Sequence, residues 1–161
     1  KNIGISIILL PKKSNMKVTI LRGISGSGKT TWTNTNAQHA TIISTDHFFV
    51  IDGKIQFDST KLQENHNKAF RLYLDSLAAG KEWIVVDNTN VQAWEYSPYV
   101  LAAGAYGYDV ELLTFECSAD LAWSRKQLLT EEKLRIIAEM FKRETEKMPR
   151  IFKKIHRVIP C

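Results

Sequence analysis

Residues 23–32 read Gly-Ile-Ser-Gly-Ser-Gly-Lys-Thr-Thr-Trp, and the first eight fit the spacing G-x-x-x-x-G-K-[ST]. Glycines at these positions let the backbone curl until successive N–H groups converge on a phosphate. A helix starting directly afterwards adds its partial positive charge. Lys29 then suits the β- and γ-phosphates of a nucleotide, and the Thr30 hydroxyl suits Mg2+. The residues expected around the phosphates are Gly23, Ser25, Gly26, Ser27, Gly28, Lys29, Thr30 and Thr31. The stretch reads as a phosphate cradle, with Lys29 as an exposed loop lysine.

Two carboxylates fit beside such a cradle. Asp87 ends the apolar run Trp-Ile-Val-Val-Asp, and Asp46 follows the short run Thr-Ile-Ile-Ser-Thr. Buried parallel strands that end in Asp place the carboxylate at the sheet edge where ligands bind. One carboxylate there can accept a proton from an attacking hydroxyl. The other can hold metal-bound water or the acceptor. No guanine-reading N-K-x-D sequence occurs, which argues against a GTPase, and the chain is small for an ATP-driven motor.

The elements that would position these groups alternate. Residues 16–22, 41–44, 83–87 and 110–116 read as strands, and residues 29–39 as a helix after the cradle. Asp52-Gly53 sits between apolar runs over 48–57, a hairpin signal. Thr60 and Gln63 have capping-box spacing ahead of a helix that Gly80 stops. A helix bearing Pro98 runs up to Gly107. After residue 116 the chain reads as helical, with Leu134, Ile137, Ala138 and Phe141 on one stripe. This alternation implies one three-layer α/β domain over residues 16–161, with a central parallel sheet.

The 161 residues suffice for one compact core, and 44% hydrophobic with 24% charged residues is a globular composition. Cys117 and Cys161 form neither a disulfide framework nor a metal site, which points to a cytoplasmic setting. No run is long enough to span a membrane, so no membrane partner is expected. Residues 1–15 carry a short apolar run without a small-residue cleavage site and read as an extension or an added edge strand. Net charge is +4 over residues 1–17, −5 over 18–120 and +6 over 121–161. The basic last quarter, Lys142 and Arg143 included, suits a polyanion such as nucleic acid. Trp32, Trp83, Trp94 and Trp123 read as core residues, as do Phe48 and Phe49, and His47 as a passive loop residue.

The segments Gly-Ile-Ser-Gly-Ser-Gly-Lys-Thr-Thr-Trp, Ile-Ser-Thr-Asp-His-Phe-Phe, Ile-Val-Val-Asp-Asn-Thr-Asn and Val-Gln-Ala-Trp-Glu-Tyr-Ser-Pro-Tyr-Val together resemble the P-loop kinases related to phage-type polynucleotide 5′-hydroxyl kinases and the kinase-like domain of Nedd4-binding proteins. The similarity runs from Met16 to about Arg143, and the D-N-T-N segment is its most specific mark. The resemblance implies a P-loop NTPase fold with a C-terminal helical lid region. It also implies transfer of the ATP γ-phosphate, with Mg2+, to a hydroxyl that is often a nucleic acid 5′-end. It makes Asp46 the general base, has Asp87 hold the acceptor, and gives a lid arginine, here Arg125 or its neighbour Lys126, the transferring phosphate.

Two departures stand out. The phage enzymes have an acceptor-gripping arginine shortly after the general base, where this chain has Phe48 and Phe49. The lid stretch Ser-Arg-Lys-Gln-Leu-Leu-Thr-Glu-Glu lacks the glycine usual there. Three readings follow: a kinase of nucleic acid hydroxyls, a kinase of a hydroxymethylated base or small metabolite, and a nucleotide-binding module without catalysis. The acceptor and the oligomeric state are left open.

Overall fold

A computed structural model describes residues 15–161. The expectation of an extension or edge strand falls, apart from Asn15, outside the described residues. Five parallel strands form the sheet: β1 (Lys17–Arg22), β2 (Thr41–Ile43), β5 (Trp83–Asp87), β6 (Asp109–Glu116) and β7 (His156–Pro160). Their order is β2-β5-β1-β6-β7, so β1 is central and bonded on both sides. The two-residue strands β3 (Val50–Ile51) and β4 (Lys54–Ile55) form a separate hairpin. Its turn is the expected Asp52-Gly53, with φ of 51° and 75°, the pairing of two left-handed residues that suits a tight hairpin.

Six α-helices surround the sheet among the described residues: α1 (Lys29–Asn36), α2 (Leu62–Ala78), α3 (Ala93–Ala105), α4 (Ala119–Arg125), α5 (Glu131–Glu146) and α6 (Arg150–Lys153). Side chains alternate along each central strand, and both faces are apolar because helices cover both. Val18, Ile20, Ile84, Val86 and Leu112 pack with Tyr73 and Leu77 of α2, Tyr99 and Ala103 of α3, and Phe152 of α6. Leu21, Val85, Leu113 and Phe115 face the other way, against Trp32 and Ala37 at α1. Near the cradle, Ile24 and Val91 pack with Ala122 of α4 and with Leu134 and Phe141 of α5. This is the three-layer P-loop NTPase fold with a C-terminal helical region.

Several sequence expectations are corrected. The chain after residue 116 is not all helical, since β7 returns to the sheet and pairs with β6 from Leu112↔His156 to Glu116↔Pro160. The Thr60–Gln63 capping box does not form. Asp58 takes the cap instead, its carboxylate accepting from Thr60 N at 2.9 Å, and a 3-10 turn over Ser59–Lys61 leads into α2. A carboxylate is the stronger acceptor for an orphan helix N–H. Trp94 is 70% exposed, on the outer face of α3, rather than core. Phe49 is buried as expected but Phe48 is half-exposed. Among the described residues, no helix is long and apolar enough to cross a membrane.

Candidate active site

The carboxyl ends of β1, β2 and β5 lie on one edge of the sheet, and each delivers part of the site. The cradle follows β1, a 3-10 turn over Thr45–Phe49 follows β2, and Asp87 ends β5 opposite Leu21. Gly26 and Gly28 take φ of 83° and 95°, a left-handed backbone that favours glycine. A Cβ on Gly26 would come to 2.2 Å from Ala122 O, so α4 packs directly on the cradle and no side chain fits. The hydroxyls of Ser25 and Ser27 are buried with no partner. Buried polar atoms without partners are rare and costly, and these two lie in the loop expected to hold phosphate.

Lys29 corrects the expectation of an exposed loop lysine. It opens α1, is only 8% exposed, and its Nζ donates to Gly23 O at 2.8 Å and Ile24 O at 3.0 Å. Burial lowers its pKa to about 8. The charges of Asp87 and Asp46 raise it, and that of Lys126 lowers it further. Asp87 moves the opposite way: burial raises its pKa, against the pull of Lys29 and of a hydrogen bond from Thr30. That bond, Thr30 Oγ1 to Asp87 Oδ2 at 3.1 Å, sets the expected metal ligand beside a carboxylate. A hydroxyl and a carboxylate at the phosphate end suit Mg2+, a hard cation that takes few protein oxygens and keeps its waters and substrate phosphates. No group of three or more His, Cys, Asp or Glu that would hold a metal without substrate occurs among the described residues.

The D-N-T-N segment makes a different connection at each residue. Asp87 accepts from Thr30, and Asn88 Oδ1 accepts from Thr45 N at 2.9 Å. Thr89 O accepts from Gly23 N at 3.0 Å, and Asn90 Nδ2 donates to Leu21 O at 2.8 Å. The segment thus ties the cradle to the turn carrying Asp46. Arg22 braces it from inside the protein. Fully buried, it donates to Asn90 O and Val91 O, each at 2.8 Å, and to Thr114 Oγ1 at 3.0 Å, between the rings of Tyr96 and Phe141. Burial lowers its pKa.

Asp46, Asp87 and the cradle residues from Ser25 to Thr31 line one cleft of about 1000 Å3, together with Arg125 and Lys126 from the end of α4, while Gly23 lies behind it. Arg125 lies over the cradle: a Cβ on Gly28 would sit 4.0 Å from its Nη1. Its Nη1 also donates to Cys161 Sγ at 3.4 Å, and that thiol donates to Ser27 O at 3.3 Å. The end of β7 therefore borders the cradle as well. Cys117 stays a protonated thiol, its pKa pushed up to about 12 by burial and by Cys161.

Sequence reasoning missed three contributors. His66 of α2 lines the cleft and bonds the Thr45 hydroxyl at 3.2 Å, while His47 beside Asp46 is exposed. Ile55 and Phe57, at the end of the hairpin, also line it. Their only sequence signal was apolar side chains flanking Asp52-Gly53. Lys142 lies elsewhere, in a hollow shared with Glu116, Asp120, Glu139 and Glu146.

Comparison with known proteins agrees with this architecture. The chain is 37% identical over 100 residues to human NEDD4-binding protein 2, a stretch that is 58% of this chain and 5% of that protein. The chain thus spans a small part of that relative's length. Its fold resembles a chain in the structure of the Pnkp1/Rnl/Hen1 RNA repair complex, with TM-score 0.71 and 15% identity over 86% of this chain and 48% of that one. It also resembles a gluconokinase from Sinorhizobium meliloti 1021, with TM-score 0.55 and 11% identity over 92% and 84% of the two chains. The protein family described as AAA domain matches residues 18–148, from the start of β1 to just past α5. That match covers well over half of the sequence, and the chain belongs to the AAA-domain family and carries the P-loop kinase fold.

Proposed function

We propose that this chain moves the γ-phosphate of ATP to a hydroxyl at a nucleic acid end. The observation that carries the reading is the convergence of Asp46, Asp87, Lys29 and Thr30 on one cleft from the ends of three neighbouring strands. The phosphates fit the cradle, where the two orphan serine hydroxyls and the N–H groups opening α1 gain partners. Lys29 exchanges its two loop carbonyls for phosphate oxygens. Thr30 and Asp87 would hold Mg2+, which would supply positive charge to the β- and γ-phosphates when bound. Asp46 takes the proton from the attacking hydroxyl. A bond forms between that oxygen and the γ-phosphorus, the bond to the β-phosphate bridging oxygen breaks, and ADP leaves. Arg125 and Lys126 both face the cleft, and we assign Arg125, over Gly28, to the transferring phosphate.

The nucleic acid acceptor draws support from the fold shared with a chain of an RNA repair complex and from the D-N-T-N segment of the resemblance. A small-molecule hydroxyl is the second reading. Among the described lining residues near Asp46 no lysine or arginine waits for an acceptor phosphate, and a gluconokinase shares the fold. Labelled ATP, offered with 5′-hydroxyl DNA, 5′-hydroxyl RNA, hydroxymethylated duplex DNA and gluconate, separates these readings. Transfer to a 5′-hydroxyl end is expected. Asp46→Asn should lower it by about 100-fold or more while ATP affinity is retained. Transfer to gluconate alone establishes the second reading.

A further inference from the structure

The cleft is chemically divided. The lysines and arginine among its described lining residues, Lys29, Arg125 and Lys126, belong to the cradle and to α4 and its end. Beyond Asp46 the lining is mostly carbon, Phe49, Ile55, Phe57 and Leu62, with the His66 ring beside Thr45. Ile55, Phe57 and Leu62 are 42%, 53% and 37% exposed, which is a large apolar surface to leave open beside a carboxylate. The hairpin end that carries it is held in place. Gln56 N donates to Phe49 O at 2.8 Å, and the Phe57 ring rests against the buried Phe49 ring with centroids 5.2 Å apart.

We infer that this surface holds the acceptor by a nucleobase, stacked on Phe57 and flanked by Ile55 and Leu62, so that the attached sugar hydroxyl meets Asp46. The inference rests on the kinase reading above and specifies which part of the acceptor is recognised. Charge and solvation favour a base over the other grips. An acceptor phosphate finds no lysine or arginine among the described lining residues of this half. A polyol would find Asp46 and His66 but would lose water from its remaining hydroxyls against carbon. A base presents an apolar π-face that needs no hydrogen bond, and stacking on one aromatic ring is worth about 5- to 150-fold in affinity. Phe57, not Phe48 or Phe49, is the ring placed for it.

The experiment uses two single-stranded trinucleotides with 5′-hydroxyl ends, one intact and one lacking the base of its first nucleotide. Wild type, Phe57→Ala and Phe57→Tyr are compared. Binding is read by fluorescence anisotropy with ADP and Mg2+ present, and transfer by label from ATP. Removing either the base or the ring should weaken binding by about 5- to 150-fold, removing both should cost little more, and Phe57→Tyr should keep the preference for the intact end. Equal binding of intact and abasic ends by the wild type overturns the inference. So does a Phe57→Ala loss that is the same for both, or no measurable binding of either. Transfer to neither end defeats the kinase reading instead, and the anisotropy comparison still decides the base platform.

Discussion

The ammonium of Lys29 lies among backbone carbonyls with little water around it, and burial brings its pKa down from 10.5 to about 8. In the unfolded chain the same lysine keeps its ordinary value and binds the proton more tightly. Protonated Lys29 therefore costs the fold stability in full below about pH 8, and the cost fades as pH rises from about 8 toward 10.5. Lys29→Met should remove it. The variant is expected to unfold at the same or higher denaturant than wild type at neutral pH, with the wild type gaining on it at higher pH. A clearly less stable variant at neutral pH contradicts this. The same group governs the nucleotide, because a polyphosphate needs the ammonium charged. ATP affinity, measured by calorimetry, should hold steady below about pH 8 and fall about tenfold per unit above it. Transfer by Lys29→Met should drop by about 100- to 1000-fold. The residue's role was legible in the motif but its burial was not. Burial arises from the loop curling back over Nζ, which the spacing alone does not announce, and from α4 packing on Gly26, a contact nearly a hundred residues away in sequence.

Asn88 works between elements. Its Oδ1 accepts the Thr45 N–H, fixing the turn that carries Asp46 to the end of β5, while the cradle has its own anchor from Thr89 O to Gly23 N. Asn88→Ala should therefore slow transfer by about tenfold or more and leave ATP affinity within a few-fold of wild type. Equal losses of both would place Asn88 in nucleotide binding instead. The contrast shows what the sequence made legible. β1, the cradle and α1 were readable because strand, glycines, lysine and helix are contiguous and each fits its local preference. β7 was not, since His156 and Arg157 interrupt the apolar pattern and its pairing is dictated by β6, some forty residues earlier. The capping error at Thr60 has a similar cause: the carboxylate of Asp58 caps a 3-10 turn ahead of α2, and α2 itself starts at Leu62 without a side-chain cap. Arg22, read only as the last residue of a strand, closes its contacts through Asn90, Val91 and Thr114, which no local pattern announces.

At the scale of the molecule, most of the positive charge over residues 121–161 lies away from the cleft. Arg135 pairs with Asp120 and Glu131, Arg157 with Glu111, and Lys142 sits among acids. Only Arg125 and Lys126 of that quarter reach the cleft. Binding of a single-stranded acceptor should then depend weakly on salt, with a log–log slope no steeper than about −1.4, and reversing Lys142 and Arg143 together should leave it unchanged. Titration at two salt concentrations checks both points, and a steep slope would mean a wider basic footprint. The sheet order has a further consequence in time rather than space. Thr19, Ile20 and Leu21 of β1 are fully buried and bonded to strands on either side, whereas the hairpin carrying Ile55 pairs only two residues per strand and is exposed. Amide deuteration of β1 should therefore proceed only through global unfolding, and that of residues 50–57 through frequent local opening. A bound acceptor, held only by the folded chain, should slow both: β1 through the lowered population of the unfolded state, and residues 50–57 through direct cover, so mass-spectrometric exchange reads the two effects on separate timescales.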